Sequence, residues 1–248
     1  MNEKYIFDTQ FIINAGGLGE RWRGVSYLPK PLTPIGKHKK PMIEYVILSF
    51  MKAGIEEFYI TLYYKPKLFI NCLKKIKEKY KIKINYLIEG KERLGRLGII
   101  KKSFEEGLLD ANRPLVSANA SDILIFDMKK AFDFHLSNLN FPVTAIVSKN
   151  FKSSFGILEL GKYGNVVSFK EKPYMQYFTN TAFYIIDKKF NKKILKAKLE
   201  FPINFEDFKS FWKLVKAIPL VEYGKTWFPF KDLKDYREFG DINFLHFL

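Results

Sequence analysis

The 248-residue sequence predicts an α/β fold in which helices flank both faces of a mostly parallel sheet. Three observations support this class. Short apolar runs, typical of buried strands, alternate with longer segments of helical spacing through the first half of the chain. A glycine-rich turn follows the first apolar run directly. Hydrophobic residues make up 47% of the chain, enough for the core of one large domain, so we expect a single domain over residues 1–248.

The first half is predicted to alternate strand and helix. Predicted strands cover residues 11–14, 58–63, 83–87, 115–119 and 142–148, and predicted helices cover residues 42–53, 67–80, 98–106 and 129–139. Ligands of parallel sheets bind beyond the carboxyl ends of the strands. The glycine-rich turn after the first strand and Asp122 after the fourth are therefore expected to border one cleft.

The pattern changes in the second half. Residues 155–160, 166–171 and 179–186 are predicted to be consecutive strands, with a turn at 162–165, and residues 188–198 are predicted to form a helix.

The glycine-rich turn has the composition of a phosphate-binding loop. Glycines let backbone N–H groups approach a phosphate chain closely, although a glycine cluster after a strand is by itself equally typical of a plain tight turn. Arg21 follows two positions after the last glycine, and Lys30 stands between Pro29 and Pro31. Glycines with two nearby cations suit a nucleoside triphosphate, whose reacting phosphorus needs its charge neutralised. Neither the Walker P-loop pattern nor the dinucleotide fingerprint is present.

The longer stretch from Ala15 to Glu44 is more specific. It reads A-G-G-L-G-E-R-W, L-P-K-P-L-T-P-I-G and K-P-M-I-E-Y, and it resembles the first motif of the sugar-1-phosphate nucleotidylyltransferases, or NDP-sugar pyrophosphorylases. Further matches are L-G-R-L-G at 94–98, F-G-I-L-E-L at 155–160, F-K-E-K-P at 169–173 and N-T-A-F-Y at 180–184. The resemblance implies a Rossmann-like sheet, the nucleotide-diphospho-sugar transferase fold, with inserted β-strands forming the sugar pocket. It also implies a nucleotide-binding half at 1–150 and a sugar-binding half at 151–248.

The resemblance implies a magnesium-dependent reaction of an NTP with a sugar-1-phosphate, giving an NDP-sugar and pyrophosphate. Arg21 would bind the leaving pyrophosphate and Lys30 the α-phosphate. Asp122 would be the Mg²⁺ ligand. The remaining roles are nucleotide binding by Ala15, Gly16, Gly17, Gly19, Glu89 and Gly95, and binding of the sugar phosphate by Gly156, Glu171, Lys172 and Asn180.

A plainer interpretation stands beside several of these roles. Lys30 also suits a solvent lysine in a proline-rich loop, and Asp122 suits a turn or helix-capping aspartate. Glu171 and Lys172 also suit an ordinary charged surface pair, and Glu89, expected to read the base, also suits a surface glutamate.

Six positions depart from the motifs of the family. Glu20 places an acid beside the expected phosphates, Arg96 and Leu97 replace a threonine and an alanine by bulkier side chains, one of them charged, and Ser121 and Ala182 replace glycines. At the sixth, Pro229 stands where the resemblance implies a second metal-binding aspartate, and a proline side chain cannot bind magnesium. Asp232 and Asp235 are nearby substitutes, and a site with one carboxylate, completed by water and phosphates, is a further alternative.

Bulk properties bear on compartment and partners. The single Cys72 excludes an internal disulfide, and the chain has neither a long apolar segment nor the start of a signal peptide, so we expect a cytoplasmic protein that does not bind membranes. Relatives form dimers and tetramers, but no surface signature decides whether this chain is a homo-oligomer.

Three hypotheses of function follow. The first is an active sugar-phosphate nucleotidyltransferase with an altered metal site. The second is a catalytically impaired relative that binds a nucleotide or NDP-sugar and regulates a partner. The third, which the net charge of +16 keeps open, is a basic nucleic-acid-binding protein, although lysine-rich helix faces in solvent explain that charge more simply.

Overall fold

The computed structural model describes residues 2–24, 26–149, 153, 155–219 and 227–248. Its strands in chain order are β1 (Gln10–Asn14), β2 (Pro34–Ile35), β3 (Lys40–Pro41), β4 (Glu57–Leu62), β5 (Lys83–Ile88), β6 (Leu115–Asn119), β7 (Asp122–Leu124), β8 (Val143–Ser148), β9 (Ile157–Leu160), β10 (Val166–Lys170), β11 (Thr179–Ile186), β12 (Val215–Pro219) and β13 (Trp227–Pro229). Its α-helices are α1 (Asn2–Asp8), α2 (Glu20–Arg23), α3 (Met42–Met51), α4 (Pro66–Tyr80), α5 (Gly95–Glu105), α6 (Met128–Leu136), α7 (Lys188–Lys196) and α8 (Leu233–Phe239).

Seven strands form the central sheet in the order β12-β8-β11-β6-β1-β4-β5. Strands β1, β4, β5 and β6 pair in parallel, as do β8 and β12, whereas β11 runs antiparallel to both of its neighbours, β6 and β8. The predicted α/β class with a mostly parallel sheet is therefore confirmed.

The two faces of the sheet carry separate apolar clusters. Along β1, Phe11 and Ile13 belong to one cluster with residues of α3, α4 and α6, and Ile12 belongs to the other with residues of α5 and α7. This alternation is the period of two that a strand buried on both faces requires. Helices thus cover both faces, and the carboxyl-end edge is left to the loops that border the site.

Most predicted elements agree with the structure to within a few residues, and differences lie mainly at their ends. The predicted strand at 155–160 begins at Ile157, and the helix expected from residue 98 begins at Gly95. Strands β9 and β10 form an exposed two-stranded sheet of their own, whereas β11 joins the central sheet.

Several elements had no counterpart in the sequence prediction. They are α1 and α2, the short strands β2, β3, β7 and β13, and β12 and α8 near residue 230. Strands β7 and β13 have three residues each and exist because they pair with one another across about a hundred positions, which no local pattern reveals. In the part of the chain that the structure describes, no helix is long and apolar enough to cross a membrane.

Candidate active site

A cavity of about 780 Å³ opens at the carboxyl-end edge of the sheet. Its wall includes the glycine-rich loop and the proline-rich loop around Lys30, together with residues beside β5, β6, β11 and β13. Ten predicted site residues line it: Ala15, Gly16, Gly17, Gly19, Arg21, Lys30, Glu89, Gly95, Asp122 and Asn180. Residues up to 165 positions apart, Ala15 and Asn180, are thus brought together at the edge where the strand pattern predicted a cleft.

The glycine-rich loop is anchored at both ends. At its start, the Ala15 N–H donates to the Thr61 carbonyl at 3.1 Å. At its end, Gly19 has a φ of 58° and leads into the short helix α2, where the buried Trp22 donates from Nε1 to Thr33 Oγ1 at 3.0 Å. A left-handed residue before a helix favours glycine, so the Gly19 turn fixes where α2 begins. Glu20 and Arg21 on α2 are exposed and both line the cavity.

Glu89 is buried beside the loop and is engaged with the backbone. Its Oε2 accepts hydrogen bonds from the N–H groups of Leu94 and Gly95 at 2.5 and 3.3 Å. Its Oε1 lies against Gly16, where a Cβ atom would come within 2.5 Å of it. Burial raises the pKa of this carboxyl, although both backbone N–H bonds oppose the shift. Glu89 is therefore not the surface glutamate of the plainer interpretation: it joins the start of α5 to the glycine-rich loop.

Lys30 points into the site rather than into solvent. Its Nζ donates to the Phe230 carbonyl at 2.5 Å, which ties the proline-rich loop to the segment after β13. Burial lowers the pKa of the Lys30 ammonium, the charge of Arg21 lowers it further, and the charge of Asp122 opposes the shift. Two cations and a carboxylate thus interact within one cavity.

Asp122 begins strand β7 and does not cap a helix, since Asp127 caps α6. Its Oδ2 accepts from Asn119 Nδ2 at 2.7 Å. Burial raises the pKa of the Asp122 carboxyl, whereas the Asn119 hydrogen bond and the charges of Lys30 and Lys231 lower it.

Pro229 is the register partner of Asp122 across the β7–β13 pair. The residue that the family motif aligns with a second carboxylate therefore faces Asp122 directly, and it offers no oxygen from its side chain. Asp232 and Asp235, the two nearby acids, instead hold the start of α8. Asp232 Oδ1 accepts from the N–H of Lys234 at 2.9 Å, and Asp235 Oδ2 accepts from the N–H of Lys231 at 2.6 Å.

These contacts limit the kind of metal site that the residues fit. Across residues 2–24, 26–149, 153, 155–219 and 227–248, no three His, Cys, Asp or Glu side chains cluster in a way that could hold a metal ion. One carboxylate is nevertheless enough for Mg²⁺ when phosphate oxygens and water complete the shell. Asp122 fits a cation that is held jointly with a nucleotide.

The far wall of the cavity contains a network that sequence reasoning did not identify. Asn180 Nδ2 donates to the Tyr184 hydroxyl at 2.6 Å, and that hydroxyl donates to Glu206 Oε1 at 2.8 Å. Glu206 Oε2 pairs with the Arg96 guanidinium at 2.6 Å. Asn180 and Arg96 line the cavity. Glu206 fixes both side chains, and no local motif marked it because its partners lie 22 to 110 positions away.

The other predicted sugar-binding residues lie on or beside the exposed β9–β10 sheet. Gly156 packs against Phe169 and Glu171, and Glu171 Oε1 pairs with Lys172 Nζ at 3.0 Å. Both charged side chains are about half exposed, as expected for an ordinary surface pair. Gly156, Glu171 and Lys172 are not among the described residues that line the cavity.

Comparisons with known proteins identify the family that this chain resembles. The family model described as nucleotidyl transferase matches residues 10–210. Mannose-1-phosphate guanyltransferase of Yarrowia lipolytica is 33% identical over 157 residues, which are 63% of this chain and 40% of the relative. The Emericella nidulans protein of the same name is 27% identical over 188 residues, which are 74% of this chain and 50% of the relative. The chain thus spans about half the length, or less, of these curated relatives.

Solved structures match over nearly the whole chain. The crystal structure of HddC from Yersinia pseudotuberculosis has a TM-score of 0.68 and 25% sequence identity, and it covers 93% of this chain and 97% of its own. HddC complexed with GMP-PN has a TM-score of 0.67 and 23% identity, with the same coverage.

Proposed function

The chain belongs to the nucleotidyl transferase family, and on that premise we propose that it joins a nucleoside triphosphate to a sugar-1-phosphate. An oxygen of the sugar phosphate attacks the α-phosphorus in line. The bond from the α-phosphorus to the oxygen bridging to the β-phosphorus breaks, and pyrophosphate leaves. The observation that supports this reaction best is the convergence of the glycine-rich loop, Arg21, Lys30 and Asp122 on one cavity.

The chemistry asks the protein mainly to position two anions and to stabilise the charge that develops between them. The glycine-rich loop holds the triphosphate through its backbone. Lys30, fixed by its bond to the Phe230 carbonyl, stabilises the α-phosphate oxygens as the new bond forms. Arg21, on the exposed first turn of α2, takes the charge of the leaving pyrophosphate.

Asp122 would hold a divalent cation together with the phosphates, and that cation would neutralise part of their charge. The carboxylate is prepared for this role by Asn119, whose amide fixes Oδ2. In the same proposal, Asn180 and Arg96 form the sugar end of the cavity, where the Glu206 network sets their positions.

The first substrate pair to test is GTP with mannose-1-phosphate, because the curated relatives are mannose-1-phosphate guanyltransferases. Glu89 borders the glycine-rich loop, and its Oε1 can accept a hydrogen bond from an N–H group of a base, which is compatible with guanine but does not select it.

A second candidate is a relative that binds the nucleotide without turning it over and regulates a partner. Pro229 favours it, because the residue facing Asp122 contributes no metal ligand from its side chain. The two candidates differ in one observable, the release of pyrophosphate.

The deciding experiment measures pyrophosphate release with Mg²⁺ over all pairings of the common NTPs with a panel of sugar-1-phosphates. We expect release in one pairing, with a loss of about a hundredfold or more in Lys30→Met and Asp122→Asn. Lys188→Met is the matched control, because Lys188 is exposed at the opposite edge of the sheet, where the neighbouring Asp187 N–H bonds to the Pro142 carbonyl before β8. No release in any pairing, from protein that still binds a nucleotide, would contradict the transferase and support the second candidate.

A further inference from the structure

Lys231 lies on the cavity wall that the paired strands β7 and β13 form, beside Asp122. Trp227, Pro229 and Lys231 are alternate residues of β13 and its continuation, and all three line the cavity. Pro229 is in register with Asp122, so Lys231 emerges next to the position opposite that carboxylate.

The Lys231 side chain lies along the wall that β13 forms. Its Nζ lies 5.9 Å from the centroid of the Trp227 ring, over the wall of β13. Burial raises the pKa of Asp122, and the positive charges of Lys30 and Lys231 are among the influences that oppose this rise. Lys30 is bonded to the carbonyl of Phe230, the residue that precedes Lys231. Two ammonium groups, one from the proline-rich loop and one from the segment after β13, therefore act on Asp122.

Asp232 and Asp235 of this segment bond to backbone N–H groups at the start of α8, and their charges also act on Lys30. Lys231 thus adds positive charge beside Asp122, where a two-carboxylate metal site would add negative charge. A wall with fixed ammonium groups suits phosphate oxygens, because charge-assisted hydrogen bonds to them are short and strong.

Resting on the function proposed above, we propose that Lys231 is a further phosphate-binding residue, whose ammonium group contacts the triphosphate beside Asp122. Lys231 then neutralises part of the phosphate charge that a metal ion held by two carboxylates would neutralise. It follows that the cavity binds a polyphosphate measurably without any divalent cation.

The test is calorimetric titration of the whole chain with inorganic tripolyphosphate in EDTA at low salt. Lys231→Met should bind about ten- to a hundredfold more weakly than the wild type, as expected for one charge-assisted hydrogen bond. Lys231→Arg, which keeps the charge, should remain within a few fold. Lys234→Met is the matched control, because Lys234 is an exposed lysine of the same segment outside the cavity wall. Equal melting temperatures of the variants show that each is folded.

Three outcomes would overturn the inference: no tripolyphosphate binding by the wild type, unchanged affinity in Lys231→Met, or an equal loss in Lys234→Met. The readout does not depend on nucleotidyl transfer. If no substrate pair releases pyrophosphate but Lys231→Met still loses tripolyphosphate affinity, the proposed reaction fails and the phosphate site stands. If release occurs and the affinity is unchanged, the reaction stands and Lys231 is excluded.

Discussion

Replacing Gly16 by alanine tests the contact between the glycine-rich loop and Glu89. The added Cβ would lie 2.5 Å from Glu89 Oε1, closer than real Cβ contacts come, so one of the two must move. The carboxylate is held by the Leu94 N–H at 2.5 Å and the Gly95 N–H at 3.3 Å, so moving it breaks or lengthens those bonds. Losing one hydrogen bond to a charged group costs about 1.5–3 kcal/mol, and we expect Gly16→Ala to lower the free energy of unfolding by about that much.

Urea denaturation measures the free energy of unfolding of Gly16→Ala and of a control variant, Gly17→Ala. Gly17 has no described atom within 4 Å of the position of an added Cβ, so Gly17→Ala should change the free energy of unfolding by less than about 1 kcal/mol in either direction. A double-mutant cycle identifies the atom responsible. In a Glu89→Ala background the clashing oxygen is gone, and Gly16→Ala should then be nearly neutral.

Equal stability of Gly16→Ala and Gly17→Ala would contradict a clash between the added Cβ and Glu89. A loss of stability in Gly16→Ala that persists undiminished in the Glu89→Ala background would also contradict it, because the strain would then come from another contact.

Four further expectations concern other parts of the structure. In Gly95→Ala, a φ of 77° is combined with a Cβ that would lie 2.5 Å from the Ile203 backbone oxygen, so the free energy of unfolding in urea should fall by about 3 kcal/mol or more. Gly107→Ala has a similar φ and no described atom within 4 Å of the added Cβ, so its free energy of unfolding should fall by only about 1–2 kcal/mol. Burial lowers the pKa of Lys30, so kcat/KM should fall as pH rises through that lowered value, and a Lys30→Arg variant should lose this alkaline limb; an unchanged limb would assign it to another group. Burial lowers the pKa of His135 to about 4, below its unfolded value, so acidification from pH 6.5 to 4 should cost up to about 3 kcal/mol of stability, and denaturation of His135→Gln over the same range should show a shallower slope. Pro229→Asp places a carboxylate opposite Asp122 and should increase the thermal stabilisation by Mn²⁺ relative to the wild type; no added stabilisation would contradict the facing geometry.

The fold was predictable because its signals are local. The apolar run before the glycine-rich turn and the alternation of strand and helix are readable in windows of a dozen residues, and both the α/β class and the family are confirmed. Position 182 keeps a backbone conformation that favours glycine although its residue has changed. The family motif has a glycine there, and Ala182 has a φ of 58° within an irregular part of β11. The roles of the site residues stay predictions, although the structure brings ten of them together.

What the sequence could not reveal depends on long-range partners. Glu206 acquires a role only because folding brings it to Arg96 and Tyr184. Asp235 resembled a candidate metal ligand until the start of α8 accounted for its carboxylate. Nothing in the spacing of Lys231 distinguished it from the many other lysines of the chain, because its interest comes from the pairing of β7 with β13.

Because β13 pairs with β7, the cavity is completed late in synthesis of the chain. The glycine-rich loop leaves the ribosome some two hundred residues before Trp227 and Lys231, which complete the cavity around it. At elongation rates of about 5–20 residues per second, ~10–40 s pass between the synthesis of the glycine-rich loop and that of residues 227–231. A nascent chain can therefore assemble much of the central sheet while the pocket is still open on one side. The cavity is complete only once residues 227–231 have been synthesised, and a product truncated before them would carry the glycine-rich loop without that wall.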